Sequence, residues 1–254
     1  MKLTGNTIFI TGGTSGIGPA FAEAFHRLGN TVIIAGRRKA LLDEVTRAHP
    51  GMEALLLDVS DPDSIQAAAE TLIARHPDLN VVFNNAGFMP FDDVSGPIDD
   101  DVAQALIATN LLGPIRVTSA LIDHLKTRPA ATLLYTTSVL AFVPIASNAI
   151  YSATKAALHS FALSQRFQLR DTAVRVQEIA PPWVDTDLIY KSGDPRAMPL
   201  PDFIEQTLKA LATDDPEVIV DAIRPLRDNP GANEHAFVDA FNRSIVANPI
   251  PVGA

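Results

Sequence analysis

The sequence predicts an α/β protein: one doubly wound parallel sheet of six or seven strands, with helices on both faces, in a single domain spanning residues 1–254. Three observations predict it. Short β-branched runs alternate with segments of helical apolar spacing, six times along the chain. The strand segments are apolar throughout rather than alternating with polar residues, as strands covered on both faces are. No composition break, internal repeat or low-complexity tract divides the chain, and with 47% hydrophobic residues it has enough apolar side chains for a sizeable core.

The elements follow in order. Residues 7–11 (TIFIT) read as a strand. Gly12, Gly13, Gly16 and Gly18 come next, then a helical pattern with Pro19 in its first turn and Gly29 at its stop. Residues 31–35 (TVIIA) form a second strand ending at Gly36-Arg37-Arg38, and 39–48 a helix. Residues 54–57 form a third strand, closed by Asp58. The stretch 61–75 opens with a cap-like Asp61 and Pro62 and continues as a helix. Residues 81–83 form a fourth strand that runs into Asn84-Asn85-Ala86-Gly87. The pattern over 99–125 is one long helix, or two with a kink near Gly113-Pro114. A fifth strand is expected at 132–137, a long helix at 151–170, and a sixth strand at 174–179, stopped by Pro181-Pro182. Over 187–201 the periodicity fails, and Gly193, Pro195, Pro199 and Pro201 mark a loop. With short helices expected at 201–211 and 216–223, the segment 187–225 becomes the substrate side of the domain. Residues 234–246 read as a terminal helix with Phe237, Phe241 and Ile245 on one face.

Composition excludes several classes. Lys plus Arg is 20 and Asp plus Glu is 29, net −9, which argues against nucleic acid or an anionic membrane as partner. There is no cysteine, hence no disulfide framework and no thiolate chemistry. The six histidines (26, 49, 76, 124, 159, 235) lack ligand spacing, so no metal is expected. The N-terminal MKLTGNTIFITGG enters a strand pattern without a signal-like apolar segment. No apolar stretch reaches the roughly 18 residues of a spanning helix. The expectation is a soluble, cytoplasmic protein.

The chemistry concentrates between Ser138 and Lys155. Tyr151 and Lys155 are four residues apart and share one helix face. A phenol has an unperturbed pKa near 10, and a neighbouring cation favours phenolate. The pair is therefore expected to titrate closer to the working pH, as a general acid/base requires. Ser138 ends an apolar strand run, where its hydroxyl could hold a carbonyl oxygen. The turn Thr11 to Gly18 lies between a strand and a helix. Glycines there allow close approach to a pyrophosphate, and the helix start at Ile17 offers free amides and a positive dipole end. At the tip of the second strand an Asp or Glu would bind a ribose 2′-hydroxyl. This chain has Gly36 followed by two guanidiniums, which suit a 2′-phosphate; Arg37, nearer the strand, is the preferred one. Asp58 is placed to accept from an adenine amino group, or equally to cap a helix. Asn110 is a polar residue in an apolar helix and needs a hydrogen-bond partner if buried. Phe142, Val143, Ile145 and Trp183 suggest an apolar substrate pocket.

Together TGGTSGIG, NNAG, Asn110, Ser138 and YSATK resemble the short-chain dehydrogenase/reductase family of the common, shorter type, over about positions 5–190. APPWVDTDL (180–188) and PLRDNPGANEHAF (225–237) resemble its DltE-like oxidoreductase subgroup. The resemblance implies a Rossmann-like fold and hydride transfer between a nicotinamide and a carbonyl or secondary alcohol. It implies Tyr151 as proton donor or acceptor, Lys155 on the nicotinamide ribose and depressing the Tyr pKa, Ser138 orienting the carbonyl, and Asn110 stabilising a water that links Lys155 to solvent. It further implies cofactor contacts from Gly12, Ser15, Gly16, Ile17, Gly18, Arg37, Asp58, Val59, Asn85, Ala86, Gly87 and Thr186, and substrate contacts from Ser138, Phe142 and Trp183. NADP(H) is the preferred cofactor and NAD(H) the lesser one. A catalytically silent NADP(H)-binding sensor is the alternative, against which the intact Ser, Tyr and Lys argue. The chain departs from the family pattern at Pro181-Pro182, where a Pro-Gly is usual, and lacks a visible C-terminal strand with a Gly-Gly ending. That absence favours a homodimer, through the helices at 99–125 and 151–170, over a tetramer.

Overall fold

Seven parallel strands form one sheet in the order β3-β2-β1-β4-β5-β6-β7. The computed structural model describes residues 1–228, 231 and 233–249. Along the chain these strands are β1 (Thr7–Thr11), β2 (Thr31–Gly36), β3 (Glu53–Leu56), β4 (Leu79–Asn84), β5 (Ala131–Thr136), β6 (Val174–Ile179) and β7 (Glu217–Val218). The helices are α1 (Ile17–Arg27), α2 (Lys39–Ala48), α3 (Pro62–Arg75), α4 (Asp100–Ile107), α5 (Gly113–Lys126), α6 (Ala149–Gln168), α7 (Leu200–Leu211), α8 (Arg224–Arg227) and α9 (Glu234–Ala247). Asn229, Pro230 and Ala232, within the stretch that carries the subgroup resemblance, lie outside the described residues.

The period-2 geometry of a strand divides its side chains between two cores. Ile8, Ile10, Val32, Ile34, Val81 and Phe83 point to one face, where they meet Phe21 and Phe25 of α1 and Phe203 of α7. Phe9, Ile33, Ala35, Val82, Leu133 and Tyr135 point to the other, where they meet Ile65 and Leu72 of α3, Val117 and Leu121 of α5, and Leu158 and Ala162 of α6. This double burial is why the strands lack polar alternation. Phe21 anchors the first core, with its ring 5.4 Å from Phe83, 6.0 Å from Phe25 and 6.1 Å from Phe203.

Two expectations change and one alternative is decided. Of the two readings for 99–125, the chain takes one continuous helical run, Asp100–Lys126. Asp99 caps α4 through the Val102 amide at 3.1 Å. The chain then passes through a π-helical turn, Ala108–Leu112, before α5 begins with Pro114 in its first turn. Gly113 is set by crowding, since a Cβ there would stand 2.9 Å from the Val59 carbonyl oxygen. The stretch 216–223 does not form a helix. Glu217 and Val218 add a seventh strand to β6, tied by Glu178 N to Pro216 O at 2.9 Å and Ala180 N to Val218 O at 3.2 Å. The exposed edge of β6 thus overrides local periodicity. Finally, Asp100–Lys126 is long and apolar enough to cross a membrane by length and composition, contrary to the count from sequence. Its apolar residues serve the core: Leu106, Val117, Leu121 and Leu125 are buried.

Candidate active site

Strand order reverses between β1 and β4. Helix α1 leaves β1 towards one core and α5 follows β4 into the other. A crevice opens beyond the carboxyl ends of these strands, where doubly wound sheets bind ligands. It holds a cavity of about 340 Å³, within the size range of ligand pockets.

The cavity floor is built by backbone proximity. Gly12 has φ 70°, and a Cβ on it would meet Ala86 Cα at 2.8 Å. The glycine turn and the strand-end amides are therefore in direct contact. Thr11 Oγ1 accepts from the Asn85 and Ala86 amides at 3.0 and 3.1 Å. The Asn85 carboxamide donates to the Thr11 carbonyl at 3.2 Å and accepts from Thr136 Oγ1 at 3.2 Å. Helix α1 has no side-chain cap and no acidic residue in its first turn. Its free amides and dipole end form an anion site.

Tyr151 and Lys155 lie on one face of α6, 5% and 3% exposed. The ammonium nitrogen stands 5.5 Å from the phenol ring centroid and donates to the Thr136 carbonyl at 2.8 Å. Burial pushes the Tyr151 phenol up to about 12, against the pull of the Ser138 hydroxyl. Burial also brings Lys155 down to about 8. The expected phenol titrating near neutrality is therefore not what the structure shows. Desolvation is the largest influence on the phenol, and the hydrogen bond of the Lys155 ammonium goes to main chain. Ser138 is buried at the end of β5, and its Oγ accepts from the Leu140 amide at 3.1 Å.

Asn110 lies in the π-helical turn, 1% exposed. Its Oδ1 accepts from the Phe88 amide at 3.1 Å and its Nδ2 donates to the Phe88 carbonyl at 2.9 Å. The side chain is a clamp on the strand-end loop. Beside it, a Cβ on Gly87 would meet Asn110 Oδ1 at 3.1 Å and Lys155 Nζ at 3.7 Å.

At the far end of the cavity, Arg37 and Arg38 diverge. Arg38 donates to Thr14 Oγ1 and Ser15 Oγ, both at 2.8 Å, and so braces the glycine turn. Arg37 stays at the rim beside Asp58. Asp58 accepts from the Ser60 amide at 2.9 Å and hydroxyl at 2.6 Å. Burial works to raise its pKa, but these bonds and the Arg37 charge together hold it below the usual carboxylate range.

Of the sequence-predicted cofactor residues, Gly12, Ser15, Gly16, Ile17, Arg37, Asp58, Val59, Asn85, Ala86, Gly87, Tyr151, Lys155 and Thr186 all line the cavity. Gly18 does not. A Cβ there would stand 2.1 Å from the Gly12 carbonyl, so it is needed for packing α1 onto the turn. Ser138, Phe142 and Trp183 are also off the lining. Phe142 is held between His159, ring centroids 5.0 Å apart, and the Arg227 guanidinium at 4.6 Å. Trp183 lies beneath Arg196 at 5.3 Å. Thr109 and Thr136 join the lining without having been singled out; Thr14, Arg38 and Leu188 lie in the glycine turn, the tip of the second strand and the expected substrate-side segment.

The structure gathers His159, Glu178 and Glu217 within 4.8 Å of one another, which their sequence spacing hides. Each is already partnered. Glu178 takes His159 at 2.7 Å and Arg166 at 3.0 Å, and Glu217 takes Arg227 at 2.7 and 2.9 Å. Two guanidiniums at the carboxylates make this a salt-bridge network between α6, β6, β7 and α8.

A glycine turn leading into an uncapped helix, lining one cavity with a buried Tyr–Lys pair at the switch point, is the arrangement of a dinucleotide-binding oxidoreductase. Comparison with known proteins agrees. The family model for short chain dehydrogenases matches residues 6–196. The uncharacterized oxidoreductase DltE of Bacillus subtilis is 38% identical over 248 residues, 95% of this chain and 98% of that one. The NADP-dependent 3-hydroxy acid dehydrogenase of Schizosaccharomyces pombe is 29% identical, over 91% of this chain and 96% of its own. A crystal structure of a short chain dehydrogenase from Burkholderia cenocepacia in complex with NADP superposes with a TM-score of 0.82 at 24% identity, over 99% of this chain and 100% of that one, and shares the fold. The chain belongs to the short-chain dehydrogenase family and is an NAD(P)-dependent oxidoreductase.

Proposed function

We propose that the protein is an NADP(H)-dependent oxidoreductase that moves hydride between the nicotinamide and a carbonyl or secondary alcohol, with Tyr151 as general acid/base. The observation that carries this reading is Tyr151 itself, a buried phenol lifted to about 12, on the cavity lining beside Lys155. The phenol is protonated at neutral pH and is placed to give its proton to a carbonyl oxygen, or to take part in the reverse transfer from an alcohol. The nicotinamide, when bound, supplies or takes the hydride.

The chain's own residues do the rest. The uncapped α1 terminus and the amides of Ser15 to Ile17 receive the pyrophosphate. Arg37, exposed at the rim with no acidic residue at position 36, receives the 2′-phosphate, and Asp58 the adenine amino group. Lys155 holds ribose hydroxyls and Ser138 orients the carbonyl oxygen towards the Tyr151 hydroxyl. Asn110 fixes Phe88, and with it the wall beside the nicotinamide. The NADP-dependence of the S. pombe relative and the NADP in the B. cenocepacia structure support the cofactor preference. NAD(H) lacks only the contact to Arg37.

We further propose a cytoplasmic homodimer. Helix α6 leaves Leu163 45% and Phe167 67% exposed, an apolar surface suited to a second copy. A monomeric mass by light scattering at micromolar concentration would reject the dimer.

The function is tested by titrating the protein with NADPH and NADH, then following nicotinamide absorbance against a panel of ketones and aldehydes. Tight NADPH binding with turnover of a carbonyl supports the reading. Tight binding with no turnover in either direction moves it to a silent sensor, and no binding of either cofactor overturns it.

A further inference from the structure

We infer that the C-terminal segment 234–249 forms the outer wall of the substrate side, and that Asn242 and Arg196 are positioning residues that set which carbonyl compounds reach Tyr151. This rests on the oxidoreductase reading above, and extends it to a part of the chain that contributes nothing to the cofactor cavity.

Helix α9 has no fully buried residue, so it is not a core helix. It attaches in two ways. Phe241 and Ile245 pack against the core cluster that contains Ile145 and Tyr151. Two polar contacts then tie the segment to the two loops that flank Tyr151.

The first is Asn242. Its Nδ2 donates to the Pro144 carbonyl at 3.1 Å, and its Oδ1 accepts from the Ala146 amide at 2.5 Å. One carboxamide therefore grips the main chain on both sides of Ile145. The Ile145 amide donates to Ser152 Oγ at 3.4 Å, one residue beyond Tyr151. A shift of α9 is thus transmitted through three consecutive loop residues to the start of the helix that carries the acid.

The second is Arg196, in the loop between β6 and α7. It donates to the Asn248 carbonyl, and to that of Pro249 at 2.8 Å. Asp194 neutralises it at 2.7 Å, and it lies over the Trp183 ring. The rest of this loop is well braced: Asp185 accepts from the Ser192 and Gly193 amides at 3.0 and 3.2 Å, and Met198 N donates to the Trp183 carbonyl at 2.8 Å. Leu188, from the same loop, reaches the cavity lining. One segment therefore holds together two loops that approach the site from different elements. Both contacts are solvent-exposed, and such hydrogen bonds are individually weak. They set the wall's position without preventing its release.

The experiment compares the full-length wild type with Asn242→Ala, Arg196→Ala and the double variant, using Asn242→Gln and Arg196→Lys as conservative controls. Three readouts are taken: NADPH affinity by fluorescence, amide hydrogen exchange over 142–152 and 188–200, and kcat and KM for cyclohexanone and the bulkier 4-phenylcyclohexanone. The double variant is expected to bind NADPH within about two-fold of wild type, while amides of both segments exchange about ten-fold faster, the loss of one to two hydrogen bonds. KM is expected to rise more than kcat falls, with the ratio of the two ketones' kcat/KM shifting towards the bulkier one, and the conservative variants recovering part of each change. Unchanged exchange in both segments overturns the proposal. So does NADPH affinity that falls in step with turnover, since that marks a general loss of structure. If the wild type binds NADPH but reduces neither ketone, the choice of substrate has failed and exchange decides the wall. If it binds no NADPH, the oxidoreductase reading has failed, and unlinked exchange in the two segments would sink the wall separately.

Discussion

Lys155 Nζ donates to the carbonyl of Thr136 at 2.8 Å, joining the Tyr151 face of α6 to the last residue of β5. The ammonium is almost fully buried and held at about 8 rather than its ordinary 10.5. The sign of the resulting pH dependence follows from which state binds more protons. Between about 8 and 10.5 the unfolded chain keeps this proton while the folded one has lost it, so stability rises with pH through that window. The wild type should gain up to about 3 kcal/mol relative to Lys155→Met between pH 7 and pH 10.5. Tyr151 works in the opposite direction. Its raised pKa stabilises the fold below pH 10, and that contribution is lost as pH climbs from 10 towards 12. Chemical denaturation of both proteins across this pH range checks it; a difference that stays flat would mean Lys155 is not desolvated.

Tyr151→Phe keeps the ring in its core cluster but removes the proton donor. Turnover should fall by about 10²- to 10⁴-fold, the span of general acid–base contributions. NADPH affinity should stay close to wild type. Retained turnover would mean that the acid is another group.

The two guanidiniums at the tip of β2 should separate by cofactor. Arg37→Ala should weaken NADPH by about ten- to a hundred-fold, the worth of a charge-assisted contact, and leave NADH nearly unchanged. Arg38 braces Thr14 and Ser15, which both cofactors approach. Arg38→Ala should therefore weaken the two alike. Equal effects of Arg37→Ala on NADPH and NADH would remove its role at the 2′-phosphate.

Phe21→Ala should cost about 3–5 kcal/mol, measured as a lowered urea midpoint, because the ring is fully buried among Phe25, Phe83 and Phe203. A loss under about 1 kcal/mol would indicate that α1 and α7 repack around the gap.

The sequence by itself determined the order of six strands and their helices, and thirteen of the residues that line the cavity. Those features are local. Apolar runs, Gly and Pro punctuation and the four-residue step from Tyr151 to Lys155 act over a few residues, and β6 lies at 174–179 as its pattern requires. What only the tertiary structure decided depends on partners distant in the chain. Glu217 and Val218 became a strand because β6 offered an unpaired edge. Phe142 and Trp183 lie off the cavity lining, beside the Arg227 and Arg196 guanidiniums. The Tyr151 phenol is pushed up by desolvation, which no spacing rule measures.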